Sequence, residues 1–168
     1  IHYCWFGRNP LPPIAKKCID TWRRYLPDYE IKEWNEDNFD VSIIPYTREA
    51  YEVRKYAFVS DYARFWILYK YGGLYFDTDV EIIKPLDDII ERGPFMGIEK
   101  TPTSNITPMI NPGLGLGATP QMDTYRQILD SFHRMDFYSK EGMMNTYTMI
   151  PMVTKLFSEL GFKASKEV

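Results

Sequence analysis

The sequence predicts an α/β/α sandwich around a mainly parallel sheet, and three observations carry that expectation. Strand-like and helix-like stretches alternate along the chain. The first three elements read β-α-β. An acidic pair, Asp77 and Asp79, stands at the exit of a short apolar strand, Leu74-Tyr75-Phe76. In sheets of this kind ligands sit beyond the carboxyl ends of the strands, where these carboxylates fall. A length of 168 residues suits one domain with a sizeable core, not two.

Ile1–Phe6 is a hydrophobic run closed by Gly7, and Pro10, Pro12 and Pro13 mark the loop after it. From Pro13 to Tyr25 the apolar residues Ile14, Cys18, Ile19 and Trp22 recur at helical spacing, with proline at the start. Pro27-Asp28 turns the chain, and Tyr29–Trp34 alternates as a second strand, so a right-handed crossover to a parallel neighbour is expected. Glu49 to Lys55 reads as a short helix. Ser60 to Tyr71 reads as a stronger one, with Ser60 as N-cap and Gly72 as its stop. That helix is apolar nearly all round, which predicts burial. After the strand that carries Asp77 and Asp79 come a short helix over Leu86–Glu91, a strand over Pro94–Ile98 and a long loop over 100–113. A strand over Gly113–Ala118 and helices over Gln121–Phe137 and Thr148–Leu160 complete the pattern.

The formal net charge of −3, with no basic block, argues against nucleic acid as a partner. Aromatic residues make up 16% of the chain, enough both to fill a core and to offer flat surfaces to sugars. Two cysteines, Cys4 and Cys18, make no disulfide framework, so buried thiols in a reducing, cytoplasmic compartment are expected. No apolar run in this sequence is long enough to span a bilayer, an anchor outside it stays open, and peripheral association with the inner face of a membrane is the contact to consider. Asn105-Ile106-Thr107 is a glycosylation sequon, a triplet that also arises by chance.

Two like charges one residue apart resist burial, and a divalent cation is the usual reason to crowd them. Hard carboxylate oxygens suit Mg²⁺ or Mn²⁺, which keep positions open for the oxygens of a diphosphate. The plain alternative for Asp77-Thr78-Asp79 is a solvated strand-end turn. In the buried helix Asp61 and Arg64 are the charged residues before Lys70, and they lie three apart on one face. They are either a structural ion pair or a pair aimed into the site, with Arg64 offering its fork to phosphate or sugar oxygens and Asp61 accepting from sugar hydroxyls.

Other chemistries fit poorly. The sixth position from Asp77 is Ile82, not the glycine of an EF-hand calcium loop. Gly113, Gly115 and Gly117 lack the dinucleotide spacing and point to close backbone packing. His2 and His133, with two cysteines, are too few for zinc.

Ile1-His2-Tyr3-Cys4-Trp5-Phe6-Gly7, Tyr29-Glu30-Ile31-Lys32-Glu33-Trp34-Asn35, and the run from Tyr56-Ala57-Phe58-Val59-Ser60-Asp61-Tyr62-Ala63-Arg64 to Gly72-Gly73-Leu74-Tyr75-Phe76-Asp77-Thr78-Asp79 resemble glycosyltransferase family 32. The bacterial, capsular-polysaccharide members look closest. The resemblance implies a GT-A fold, a UDP- or GDP-sugar donor, Mn²⁺ or Mg²⁺, a glycan or lipid-linked saccharide acceptor, and transfer with retention of configuration. It implies that Trp5 stacks on the donor base, that Asp61 and Arg64 hold the sugar and its phosphate-linked oxygen, that Asp77 binds ribose and sugar hydroxyls, and that Asp79 ligates the metal. Asn111 would line the acceptor or sugar side. The catalytic set expected is Asp61, Arg64, Asp77 and Asp79, with both Asp77 and Asp79 near the metal. Family members continue into a C-terminal segment that closes over the donor, whereas this chain stops at Glu167-Val168, so a single domain over 1–168, truncated at its C-terminus, is the expectation.

Two rivals stand beside a transferase. A haloacid-dehalogenase-type phosphohydrolase also places an Asp-x-Asp at a strand end, but there the motif opens the domain, and here a β-α-β unit precedes it. A lectin-like or regulatory module would keep the fold without turnover.

Overall fold

Three elements form the expected opening unit: β1 (His2–Cys4), α1 (Pro13–Tyr25) and β2 (Lys32–Trp34), with His2 opposite Lys32 and Cys4 opposite Trp34 in a parallel pair. The computed structural model describes residues 1–99, 108–145 and 149–161. The Asn105 sequon and the chain end at Glu167-Val168 lie outside the described residues.

Helix α2 (Pro45–Glu52) begins earlier than the sequence suggests, because Pro45 takes the first helical position, where its missing N–H costs nothing. The next helix, α3 (Tyr56–Tyr71), also starts a turn early. Its apolar surface runs back through the fully buried Val59, so Ser60 lies inside the helix and is not its N-cap; its hydroxyl donates to the Tyr56 carbonyl at 3.2 Å. Gly72 ends α3 at φ +66°, a conformation that suits glycine. Strand β3 (Gly73–Tyr75) follows, then α4 (Asp87–Ile90).

The expected strand over Pro94–Ile98 divides at Gly97. β4 (Phe95–Met96) joins the main sheet, while β5 (Ile98–Glu99) pairs antiparallel with β6 (Met109–Ile110) in a separate ribbon. A Cβ on Gly97 would stand 2.6 Å from the Leu114 side chain, so the chain can turn there only with glycine. Part of the expected loop over 100–113 is therefore strand, held by the buried Ile110. A 3-10 turn over Pro112–Leu114, β7 (Leu116–Ala118), α5 (Asp123–His133) and α6 (Met149–Glu159) complete the described elements.

The main sheet runs β2-β1-β3-β7-β4. Pairs β2–β1 and β1–β3 are parallel, and β7 is antiparallel to both β3 and β4. Two successive reversals return β4 to the direction of β1, so the sheet is mainly parallel with β7 alone reversed. Alternation along the strands separates two cores. Ile1, Tyr3, Leu74 and Phe76 pack with Ile19 and Trp22 of α1 on one face. Cys4, Tyr75 and Leu116 pack with α3 and α5 on the other. Much of the aromatic excess fills that second core edge to face, as with Tyr46 and Phe132 at 5.4 Å. Among the described residues no helix is long and apolar enough to cross a membrane.

Candidate active site

Tyr75, the last residue of β3, and Asp77 just beyond it lie two apart, hence on the same face, the one that α3 covers. Phe76 between them turns the other way, against Trp22 at 5.5 Å. Arg64 of α3 reaches this strand end while only 3% exposed. Its Nη1 donates to Asp77 Oδ2 at 3.1 Å, its Nη2 to Asp61 Oδ1 at 3.0 Å, and its Nε to the Ser60 carbonyl at 3.1 Å. The Tyr75 ring lies 5.0 Å from the guanidinium carbon, and its hydroxyl donates to Asp77 Oδ1 at 3.2 Å.

Burial opposes the charge on Arg64, but Tyr75, Asp77 and Asp61 together outweigh it, and the guanidinium pKa is raised. Asp61 responds the other way. Burial pushes its carboxyl up to about 6, Arg64 pulls against that, and Asp77 adds to it. The two readings of the Asp61–Arg64 pair thus merge: it is an ion pair, and Arg64 also lines the cleft.

That cleft, about 490 Å³, is bounded by Trp5, Tyr56, Ser60, Arg64, Asp77 and Asp79 among others. Trp5 is fixed by its indole N–H, which donates to the Asn9 carbonyl at 2.7 Å. The chain beyond Asp77 is tied down: Val80 N–H donates to the Asp77 carbonyl at 3.0 Å, the Trp22 indole to the Val80 carbonyl at 2.8 Å, and Ile82 N–H to Thr21 Oγ1 at 2.9 Å. These bonds hold Asp79 at the rim, exposed to solvent.

Asp61 sits behind Arg64 and is not part of the cleft wall, though its side chain keeps 17% exposure. Asn111 is set back too. Its Oδ1 accepts from Gly113 N–H at 2.9 Å and its Nδ2 donates to Glu99 at 3.0 Å. Through Gly113 it nonetheless bears on the site, because a Cβ there would lie 2.6 Å from Asp77 Oδ2. Tyr75 and Gly113 were not singled out as site residues from the sequence. The signal for Tyr75 is its period-2 relation to Asp77; the spacing of Gly113, Gly115 and Gly117 indicates close packing but names no partner.

Among the described residues no group of three or more His, Cys, Asp or Glu side chains is placed to hold a metal. The donor set still fits a hard cation whose shell a ligand completes, since Asp79 presents a carboxylate on the cleft. Asp77 has both oxygens in hydrogen bonds and is the less free of the two.

Residues 12–96, half of the chain, match a family model described as "Glycosyltransferase sugar-binding region containing DXD motif", and Asp77-Thr78-Asp79 lies inside that span. Two similar proteins of Schizosaccharomyces pombe are inositol phosphoceramide mannosyltransferase 1, 27% identical over 107 residues, and inositol phosphoceramide mannosyltransferase 3, 34% identical over 98. The matches take in 57% and 54% of this chain but 32% and 26% of those proteins, so the chain spans about a third or less of the curated relatives. In three dimensions the chain is similar to the PaToxG glycosyltransferase, with a TM-score of 0.63 at 17% identity over 95% of this chain and 68% of that one. That likeness concerns the fold, which is of the GT-A-like α/β type. These fungal relatives carry no indication of a bacterial capsular subtype. By its matched sequence span, the chain belongs to the family of glycosyltransferases with a DXD-containing sugar-binding region.

Proposed function

We propose that this chain is the donor-binding and catalytic domain of a retaining glycosyltransferase, which moves a hexose from a UDP- or GDP-sugar to a hydroxyl of a glycan or lipid-linked saccharide. One observation carries the reading: a charged, buried Arg64, held by Asp61 and Asp77, faces a cleft whose rim bears Asp79. A guanidinium has five N–H groups, and three of Arg64's are engaged, which leaves two for the oxygens of a diphosphate. Mannose is the first sugar to test, because both curated relatives are named mannosyltransferases.

Trp5 stacks on the base. Asp77 keeps two lone-pair positions for ribose or sugar hydroxyls, and Asp61 accepts from a sugar hydroxyl with its second oxygen. Asn111 acts from behind by fixing the Gly113 turn against Asp77. Asp79, with Asp77 beside it, would hold Mn²⁺ or Mg²⁺, and such an ion would supply positive charge to the leaving diphosphate. In the transfer the C1–oxygen bond to the diphosphate breaks and a bond from the acceptor oxygen to C1 forms on the same face. The acceptor proton passes to the departing phosphate oxygen, to which Arg64 donates. Trapping a glycosylated Asp61 by mass spectrometry would overturn this front-face course.

The two free thiols, Cys4 and Cys18, are both buried and support a cytoplasmic setting, with any membrane contact peripheral. A panel of UDP- and GDP-sugars scored by thermal shift with and without Mn²⁺ tests the reading as a whole. The true donor at one hundred times its Kd adds about 2.7 kcal/mol, and release of nucleoside diphosphate follows when acceptor is supplied. No shift with any sugar nucleotide, or glycan binding indifferent to Mn²⁺ and to Asp79→Ala, would favour a binding module without turnover.

A further inference from the structure

Two stretches of cleft wall that are distant in sequence, Trp5-Phe6 just past β1 and Tyr56-Ala57 at the start of α3, meet at Gly7. Gly7 sits at φ +97°, and a Cβ there would run into the Tyr56 ring. Behind this junction stands Glu36, half-buried in the loop after β2 and outside the cleft lining. One of its oxygens, Oε1, accepts from both the Gly7 N–H and the Tyr51 hydroxyl, the latter at 2.9 Å. The Tyr51 ring in turn packs on Tyr56 at 5.4 Å.

Burial opposes the charge on Glu36, but the Gly7 amide, its own amide, the Tyr51 hydroxyl and Arg8 outweigh it, and the carboxyl pKa is lowered. The loop that carries Trp5 needs such a fixed point. Its indole bond to the Asn9 carbonyl stays within the loop, and the Trp5 N–H, which donates to the Trp34 carbonyl at 2.8 Å, anchors one end only. The Arg8–Asp37 bridge is exposed to solvent and holds little. The Gly7–Glu36 bond supplies the second anchor, and two anchors set the direction of the Trp5 ring. We propose that Glu36 is a positioning residue of the donor site: its carboxylate latches the Trp5 loop to Tyr51 and Tyr56, and so shapes the wall that takes the nucleobase. The assignment rests on the reading that Trp5 stacks on the donor base.

The test measures binding of UDP, GDP and inorganic pyrophosphate, each with Mn²⁺, to the whole chain by calorimetry. Glu36→Ala should weaken the nucleotide that binds about tenfold, the weight of one hydrogen bond to a charged group, and leave pyrophosphate within about twofold. Glu36→Gln keeps an Oε1 for both donors and should restore most of the affinity. Tyr51→Phe keeps the ring on Tyr56, should cost about threefold, and decides the matter should Glu36→Ala fail to fold. Without any ligand, hydrogen exchange at the Gly7 amide should quicken about tenfold in Glu36→Ala, and the Trp5 indole ¹⁵N resonance should shift. Equal losses for nucleotide and pyrophosphate would mark a merely structural residue and overturn the assignment. So would unchanged nucleotide affinity in either variant, or a Gly7 amide that stays protected. Failure of the unaltered chain to bind any nucleotide would instead bring down the donor reading, and this inference with it.

Discussion

Helix α3 serves opposite ends of the sheet, and the two ends handle charge in opposite ways. At the cleft its Arg64 is withdrawn from water and held by Asp61, Asp77 and the Ser60 carbonyl. At the far end Lys70 stays in solvent over the Trp66 ring at 4.6 Å, and Lys32 lies 4.3 Å from the centre of the Trp34 ring. There the half-buried ionisable group is His2, kept neutral: the Trp34 indole donates to Nδ1 at 3.1 Å, so Nε2 carries the proton and donates to the Gly72 carbonyl at 3.1 Å. Burial, aided by neighbouring positive charge, pushes the His2 pKa down to about 4. The far end avoids a desolvated charge and the cleft accepts one. The cost at the cleft makes sense if the charge is needed there.

The largest effect expected follows from breaking the cleft end. Arg64→Ala leaves Asp61 and Asp77 facing each other without their cation, and should cost about 3–5 kcal/mol by denaturant midpoint as well as abolishing transfer. Arg64→Lys should recover part of the stability and little of the activity, because a point charge cannot replace the fork. A lysine variant with ordinary turnover would remove the guanidinium from the argument. Asp79→Asn separates function from folding at the same end. Nucleoside diphosphate release should fall on the order of a hundredfold or more, while stability stays within about 0.5 kcal/mol, because the side chain is exposed.

The two ends should also titrate in opposite senses. Asp61 has a raised pKa, so its term is present below the unfolded value near 3.8 and is lost as pH rises through about 6. His2 has a depressed pKa, so its term is present above the unfolded value near 6.5 and is lost as pH falls through about 4. Stability of Asp61→Asn relative to the unaltered chain should therefore decline as pH falls from 6 toward 4, and that of His2→Gln should improve over a similar window. Transfer should show an acid limb near pH 6 that Asp61→Asn removes. The smallest effect is at the far rim, where Lys70→Ala should cost less than about 1 kcal/mol and leave transfer unchanged. A loss as large as that of Arg64→Ala would dissolve the contrast.

Helix α1 occupies the span its spacing indicates, Pro13–Tyr25, because apolar periodicity and an N-terminal proline are local signals. Gly72 likewise stops α3 where expected. Strands of two residues were not legible: nothing in the Pro94–Ile98 run announces that Gly97 will divide it, since pairing with β7 on one side and β6 on the other is decided far away in sequence. Ser60 misled for a related reason. A serine before an apolar run looks like a cap until packing shows that the run begins at Val59. Around the cleft, residue type and spacing are enough to single out Arg64, Asp77 and Asp79, with Asp61 as the partner of Arg64, whereas the amide of Asn111, expected on the acceptor or sugar side, is engaged by Gly113 and Glu99.

The β-α-β opening, the buried helix before the acidic strand end, and the presence of a salt-bridging pair in that helix were determined by the sequence alone. Periodicity fixes which residues must be buried, and a buried charge must find a partner. Only the tertiary structure decided which partners. Arg64 meets Asp77 across 13 residues because β3 turns its odd positions toward α3, Tyr75 pins the carboxylate, and the missing Cβ of Gly113 leaves room for it. Such distances arise when separate elements close on one another, and no local pattern of residues encodes them.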